Sequence, residues 1–463
     1  MSRVSPLRPG ALLTCLVLVA PATARASDPG RMVRQPSWSE TAPERTWVPW
    51  LRPDLQAQLW FTAWDQDESA QADAASYGDP EHDVGFSVPR ARLGFSGGYG
   101  VADFRLRVGT SRPYDALSEE PPDFQLVDAW GRVTFDTVAG ATSIAFGRVF
   151  IPFGRELQMS SNDIVFQERS VAMNWLAPQR DLGVTASHQW RYVGAAVGLY
   201  NGGGDLWGDS DDGLQVAARL EAHVGGDTYR TNSTENAFGI GASYLYNDTI
   251  SDTTHRVGVD LLGRIVGLTL HVEGAMNFIT PVDQPTALPP GVPVTTQRLG
   301  GFAQLSYYAE TKVGGVEPAV RLAYYDDATH LDDNGDVAIL HGGLMWREPV
   351  PFMDFGAMYI HRFELQGRDL PNDTVRVVAG VKFPSRKYAP LDLFDMVDDL
   401  KARRQKREAM RDAEAEPEAE ADAAPAPVAP APEPEPAPAP ETETETETEE
   451  PAPADAPEAT DPA

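Results

Sequence analysis

Between residues 54 and 383 apolar and polar positions alternate every second residue, the spacing of β-strands with two unlike faces. In the stretch 213–225, Leu214, Val216, Ala218, Leu220, Ala222 and Val224 fall on one face, with Gln215, Arg219, Glu221 and His223 on the other. The stretch 267–278 repeats the scheme, setting Leu268, Leu270, Val272, Met276 and Phe278 against Thr269, His271, Glu273 and Asn277. So does 373–383, with Val375, Val377, Ala379, Val381 and Phe383 against Arg376, Gly380 and Lys382. Taking all such segments together predicts sixteen strands.

A soluble β-rich protein also alternates, so the period alone does not decide the class. The segments run to about ten residues, the length a tilted strand needs to cross a hydrocarbon layer. Arg92, Arg105, Asp128, Arg219 and Glu273 lie mid-strand on the polar face, which suits a wet lumen. Long connections (66–85, 111–123, 151–180, 201–212, 279–297, 327–336, 364–373) alternate with short ones. These features predict an all-β fold, a transmembrane antiparallel β-barrel of about sixteen strands, with both termini at the short-turn, periplasmic side. One connection, 225–237, is too long for its side, and the pattern offers no reason for it.

The ends read differently. Arg3 and Arg8, the apolar run 11–20 and Ala24-Arg25-Ala26 predict a signal peptide over 1–26. Its Cys15 is the single cysteine, which leaves disulfides and thiol chemistry out of the exported chain. Residues 27–53 read as a periplasmic leader and 54–384 as the barrel. A basic amphipathic helix is expected over 385–412, and 413–463, with sixteen acids, thirteen prolines and no Lys or Arg, as a disordered tail. The net charge of −30 argues against nucleic-acid binding, which needs a basic surface.

No catalytic or phosphate-loop motif occurs, the eight histidines are scattered, and no cofactor or metal is implied. Ser187 and His188 are adjacent and so point to opposite faces of a strand, which speaks against a hydrolase. Aspartate-rich stretches (64–69, 208–213, 326–336) read as solvated turns, or as sites for divalent cations shared with lipopolysaccharide. The sharper signal is arginine. By parity Arg90, Arg92, Arg105, Arg107 and Arg132 face the lumen as one wall, with Arg148 next in line but sharing the parity of Ile144 and Phe146. Guanidinium groups keep their charge and fit phosphate or carboxylate oxygens, so the wall is either an anion track or a set of partners for lumen acids. The longest connection, 151–180, carries Ile164, Val165, Phe166, Trp175 and Leu176, residues that an exposed loop would not keep, and it is expected to fold inward and narrow the pore.

These stretches resemble the phosphate-selective porin O/P family. AFGRVFIPFGRE, IVFQERS, APQRDLGVTASHQW and VGAAVGLYNG carry the likeness, through Phe166, Glu168, Arg169 and Ser170, then Pro178, Arg180 and Gly183, then Asn201-Gly202. RARLGFSG and the closing VRVVAGVKF are similar too. The resemblance implies a sixteen-stranded barrel, a homotrimer, a third loop folded inward, and pore-lining arginines. It assigns Arg155, Glu168, Arg169 and Arg180 to the constriction loop. The chain departs from the best-known members, whose pore centre is lysine-rich, in having no Lys between 27 and 311, and in its acidic tail.

The expectation is thus a passive porin of the outer membrane for small hydrophilic solutes, anions such as phosphate among them. The alternative is a structural anchor whose periplasmic tail contacts the cell wall.

Overall fold

The computed structural model describes residues 49–65, 84–111, 124–203, 213–283, 293–331, 336–365 and 373–383. All lie in the first of two units, Met1–Leu400. The expected signal peptide, residues 27–48 of the leader, the C-terminal helix and tail, and most of the aspartate-rich stretches lie outside the described residues.

The strands are β1 (Trp50–Asp65), β2 (Gly85–Tyr99), β3 (Ala102–Ser111), β4 (Gln125–Thr137), β5 (Gly140–Phe150), β6 (Arg180–Gln189), β7 (Val193–Tyr200), β8 (Gln215–Gly225) and β9 (Ala237–Asp248). They continue with β10 (Asp252–Ile265), β11 (Leu268–Pro281), β12 (Thr296–Tyr307), β13 (Ala309–Thr311), β14 (Gly314–Asp326), β15 (Val337–Val350), β16 (Met353–Glu364) and β17 (Thr374–Phe383). β12 and the three-residue β13 both pair with β14 and form one stave interrupted at Tyr308. Each stave pairs antiparallel with its sequence neighbours, and β1 pairs with β17, Leu55 opposite Phe383. The result is the expected closed barrel of sixteen staves. Closure matters because lipid cannot hydrogen-bond an open sheet edge. β1 takes in residues 50–53, four positions read in the sequence as leader.

The two faces follow the alternation. Leu55, Leu59, Leu93, Phe95, Phe104 and Leu220 are exposed on the outside, where a bilayer would solvate them, while Gln56, Gln58, Arg92, Arg105, Arg219 and His271 are buried inside. Tyr99, Trp190, Tyr192, Tyr307 and Trp346 are exposed near the short-turn end, the aromatic girdle that marks a membrane interface. One of the two-residue turns, Val266-Gly267, joins β10 to β11 with both residues at positive φ, +48° and +86°, a conformation that glycine adopts without strain and valine does not.

Among the described residues, two connections enter the barrel. The segment between β5 and β6 does so from the long-loop end. Phe153, Met159, Val165, Met173 and Leu176 in it are fully buried, as its apolar content predicts. It holds a 3-10 turn, Glu156–Gln158, and a short helix α1, Val171–Leu176. Wall glycines make room for it. A Cβ on Gly300 would stand 2.9 Å from Leu176 Cδ1, and one on Gly258 2.9 Å from Phe153 Cζ. The second is the over-long 226–236, from the opposite end, where Thr228, Tyr229, Thr231, Asn232 and Ser233 are buried. Its length is that of an inner loop.

Candidate functional site

The inner loop between β5 and β6 is positioned through its backbone. Glu273 on β11 accepts the N–H groups of Arg155 (3.0 Å) and Glu156 (2.8 Å). The Glu156 carboxylate in turn accepts the Ser170 N–H at 2.9 Å and Arg321 at 3.2 Å. Ser170 caps α1, its hydroxyl accepting the Met173 N–H. Wall arginines donate to loop carbonyls: Arg90 to Gln167 (2.6 Å), Arg321 to Glu168 (3.1 Å) and Arg347 to Ile164 (2.7 Å). Bonds from a charged donor are the strong ones, so this loop is a fixed part of the lumen wall.

Against it stands the arginine wall of β2–β4. Arg90, Arg92, Arg105, Arg107 and Arg132 are all buried on the inner face. Arg90 grips Glu168 of the loop with both oxygens at 2.9 Å. Arg105 and Arg107 converge on one oxygen of Asp54, at 2.5 and 2.7 Å. Arg107 also approaches Asp128 at 3.4 Å, and Arg180 takes the other oxygen of Asp128 at 2.6 Å while its guanidinium lies 3.9 Å over the Phe150 ring. Arg132 is held by Asp103 at 2.7 Å. Arg92 faces Gln56 and stands within electrostatic reach of Arg90, Arg107 and Arg180. Arg169 donates to the backbone carbonyls of Glu156 (3.2 Å) and Met159 (2.5 Å). Burial, then repulsion by Arg90 and Arg180, weakens its hold on its proton. Arg148 stands apart from this wall, across from Ala129 and Leu182, with its charge in reach of Asp181 and Asp128.

The facing wall, β8–β11, carries the reverse ratio. Asp260 binds Arg155 at 2.7 Å and Arg219 at 2.6 Å. Glu221 lies 3.3 Å from Arg219 and 3.7 Å from Arg155, and accepts the Tyr229 hydroxyl. Two guanidiniums here share two carboxylates, and Glu273 beside them is a third carboxylate whose oxygens hold loop N–H groups. Burial opposes the Arg155 charge and Asp260 more than compensates, so its proton is held more tightly than usual. Asp260 and Glu221 were not singled out in the sequence; inward parity beside an arginine was the available signal. A lumen cavity along β4–β8 is lined by Trp130, Arg132, Phe150, Arg219, Glu221 and Tyr229 among others.

Residues 66–256 match the model of the family Phosphate-selective porin O and P. The porin O/P stretches quoted above, apart from the last strand, fall inside that span. With the closed barrel, the match supports an outer-membrane porin channel. A search of curated protein sequences returns no match. Among solved structures, the porin is similar to an anion-selective porin from Comamonas acidovorans (12% identity, 73% of this chain and 99% of that one, TM-score 0.45). It is also similar to the outer membrane channel DcaP of Acinetobacter baumannii (12%, 74% and 100%, 0.46) and to OprB of Pseudomonas putida (11%, 72% and 94%, 0.47).

Proposed function

We propose that this porin passes small hydrophilic solutes down their gradients and prefers anions, phosphate among them. The observation that carries the preference is the sharing of carboxylates in the β1–β4 sector. Asp54 and Asp128 each serve two arginines, and Arg169, next to Arg90 and Arg180, bonds backbone carbonyls that carry no net charge. Among the described residues guanidiniums there share carboxylates, and an excess of one sign on a pore wall sets ion selectivity. In this reading Arg90, Arg92, Arg105, Arg107 and Arg132 line the anion path, Arg148 stands at its edge, and Arg155, Glu168, Arg169 and Arg180 form the constriction. Family likeness supports a homotrimer, and the even stave count a periplasmic C-terminal tail.

The test is electrical. Purified protein in a planar bilayer is expected to give stepwise single-channel currents, with a reversal potential of anionic sign in a KCl gradient. Folded protein that leaves the bilayer silent would favour the anchor reading; a cationic sign would end the anion assignment.

A further inference from the structure

The segment 226–236 has the position of a turn and the contacts of a constriction loop. Arg264, the second-last residue of β10, is buried and spends its whole guanidinium on this segment. It donates to the carbonyls of Glu235 (2.6 Å), Arg230 (2.6 Å) and Asp227 (2.7 Å). Three carbonyls converging on one planar fork hold a backbone in one shape.

The far end of the segment meets the other inner loop. Arg155 donates to the Thr228 hydroxyl at 2.8 Å and lies 4.8 Å over the Tyr229 ring. Both the N–H and the hydroxyl of Thr231 reach the carbonyl of Asp163, at 3.2 and 3.1 Å. Tyr229, Met159, Ile164 and Leu262 form an apolar cluster of their own, built from both loops and β10. Gly239 lets them close up: a Cβ there would stand 3.0 Å from Thr228 Cγ2 and 3.1 Å from an Arg155 nitrogen. Tyr229 also lines the lumen cavity beside Phe150 and Pro152, so both loops border the same space.

We infer that residues 226–236 are a second constriction loop, entering from the short-turn end, and that together with the β5–β6 loop they set the size limit of the channel. Arg264 is its positioning residue, and Tyr229 the side chain it presents to the passing solute. The inference rests on the porin reading for its consequence, though the loop's position can be read without any current.

Two variants test it, Arg264→Gln and Gly239→Val; the first removes the clasp, the second leaves the clasp intact and fills the space against which Thr228 and the Arg155 guanidinium pack. Each is made alone and with Ser233→Cys as a reporter of loop position, in protein shown to be folded by its heat-modifiable mobility. Losing hydrogen bonds from a charged donor should raise the population with the loop displaced by at least about tenfold. Maleimide modification of the reporter should accelerate to match in both variants. In planar bilayers both should conduct more than the parent and admit larger polyethylene glycols. Unchanged labelling in both variants would overturn the placement of the loop. Faster labelling with unchanged conductance and unchanged polymer cut-off would overturn its role as the size limit. A parent silent in bilayers that still shows the labelling difference would count against the porin reading alone.

Discussion

The two walls that face each other across the lumen solve the same problem in opposite ways. In β1–β4 arginines crowd around too few carboxylates, Asp54 and Asp128 each being divided between two. On the β8–β11 side Asp260 and Glu221 surround Arg155 and Arg219, and Glu273 adds a carboxylate that bonds loop N–H groups instead of a guanidinium. A buried charge needs a partner wherever it sits, so neither wall leaves its ions bare, but the surplus differs in sign. Opposite surpluses on either side of a narrow aperture give a field across it, which orients and sorts the solutes that pass. The inner loop between them belongs to both: its Glu168 answers the arginine wall and its Arg155 the acidic one. The lumen is therefore better described by the ratio of charges on each side than by a count of arginines.

The comparison is broken most severely at Asp260. Asp260→Asn strips both Arg155 and Arg219 of their shortest ion pair and leaves Glu221 as their shared partner. Removing one member of a buried pair costs about 3–5 kcal/mol. The variant should unfold at a clearly lower temperature or urea concentration, read by the shift in gel mobility between folded and heated barrel. An unchanged midpoint would mean that this wall is wetter and its pairs weaker than their geometry implies.

A milder change tests the other wall. Arg105→Gln with Arg107→Gln frees Asp54 of both partners and removes the positive surplus. The reversal potential in a salt gradient should move toward cations, while Asp54→Asn should move it further toward anions. The two variants must shift it in opposite directions. A shift of the same sign in both would show that ions do not pass along β1–β4.

Much of this was legible beforehand. Lipid on one side and water on the other impose strict alternation, so the sixteen strands and the parity of Arg90, Arg92, Arg105, Arg107 and Arg132 could be read from spacing alone. The inward course of 151–179 followed from apolar residues such as Phe166 and Leu176. What alternation cannot carry is pairing between strands distant in sequence. Asp54 on β1 meets Arg105 and Arg107 on β3 across the intervening β2, where Gly94 lies in register between Asp54 and Arg107, and Asp260 meets Arg155 across 105 residues. The second inner loop escaped for another reason. Thr228, Thr231, Asn232 and Ser233 look like any solvated turn, and their burial depends on a clasp, Arg264, that sits on the next strand but one.

The smallest effect is expected where the comparison does not reach. Both walls, the inner loops and the closing pair β1–β17 lie within residues 50–383. The residues that follow have a sharp charge division of their own. Lys401, Arg403, Arg404, Lys406 and Arg407 come first, then a stretch of acids and prolines with no base. Basic residues beside an anionic surface gain roughly 1 kcal/mol each, whereas the acidic stretch is repelled by such a surface. If extended as polyproline II, its 51 residues would reach on the order of 150 Å, enough for a tether and of no use to a pore. Truncation after Pro384 should therefore leave single-channel conductance and reversal potential unchanged. It should release the protein more readily from cell-wall preparations, if the basic segment docks there. With the full chain, protease added to intact cells should spare a C-terminal epitope if the tail is periplasmic, as proposed from the even stave count. Loss of that epitope would invert the topology, and with it the direction from which each inner loop meets an entering solute.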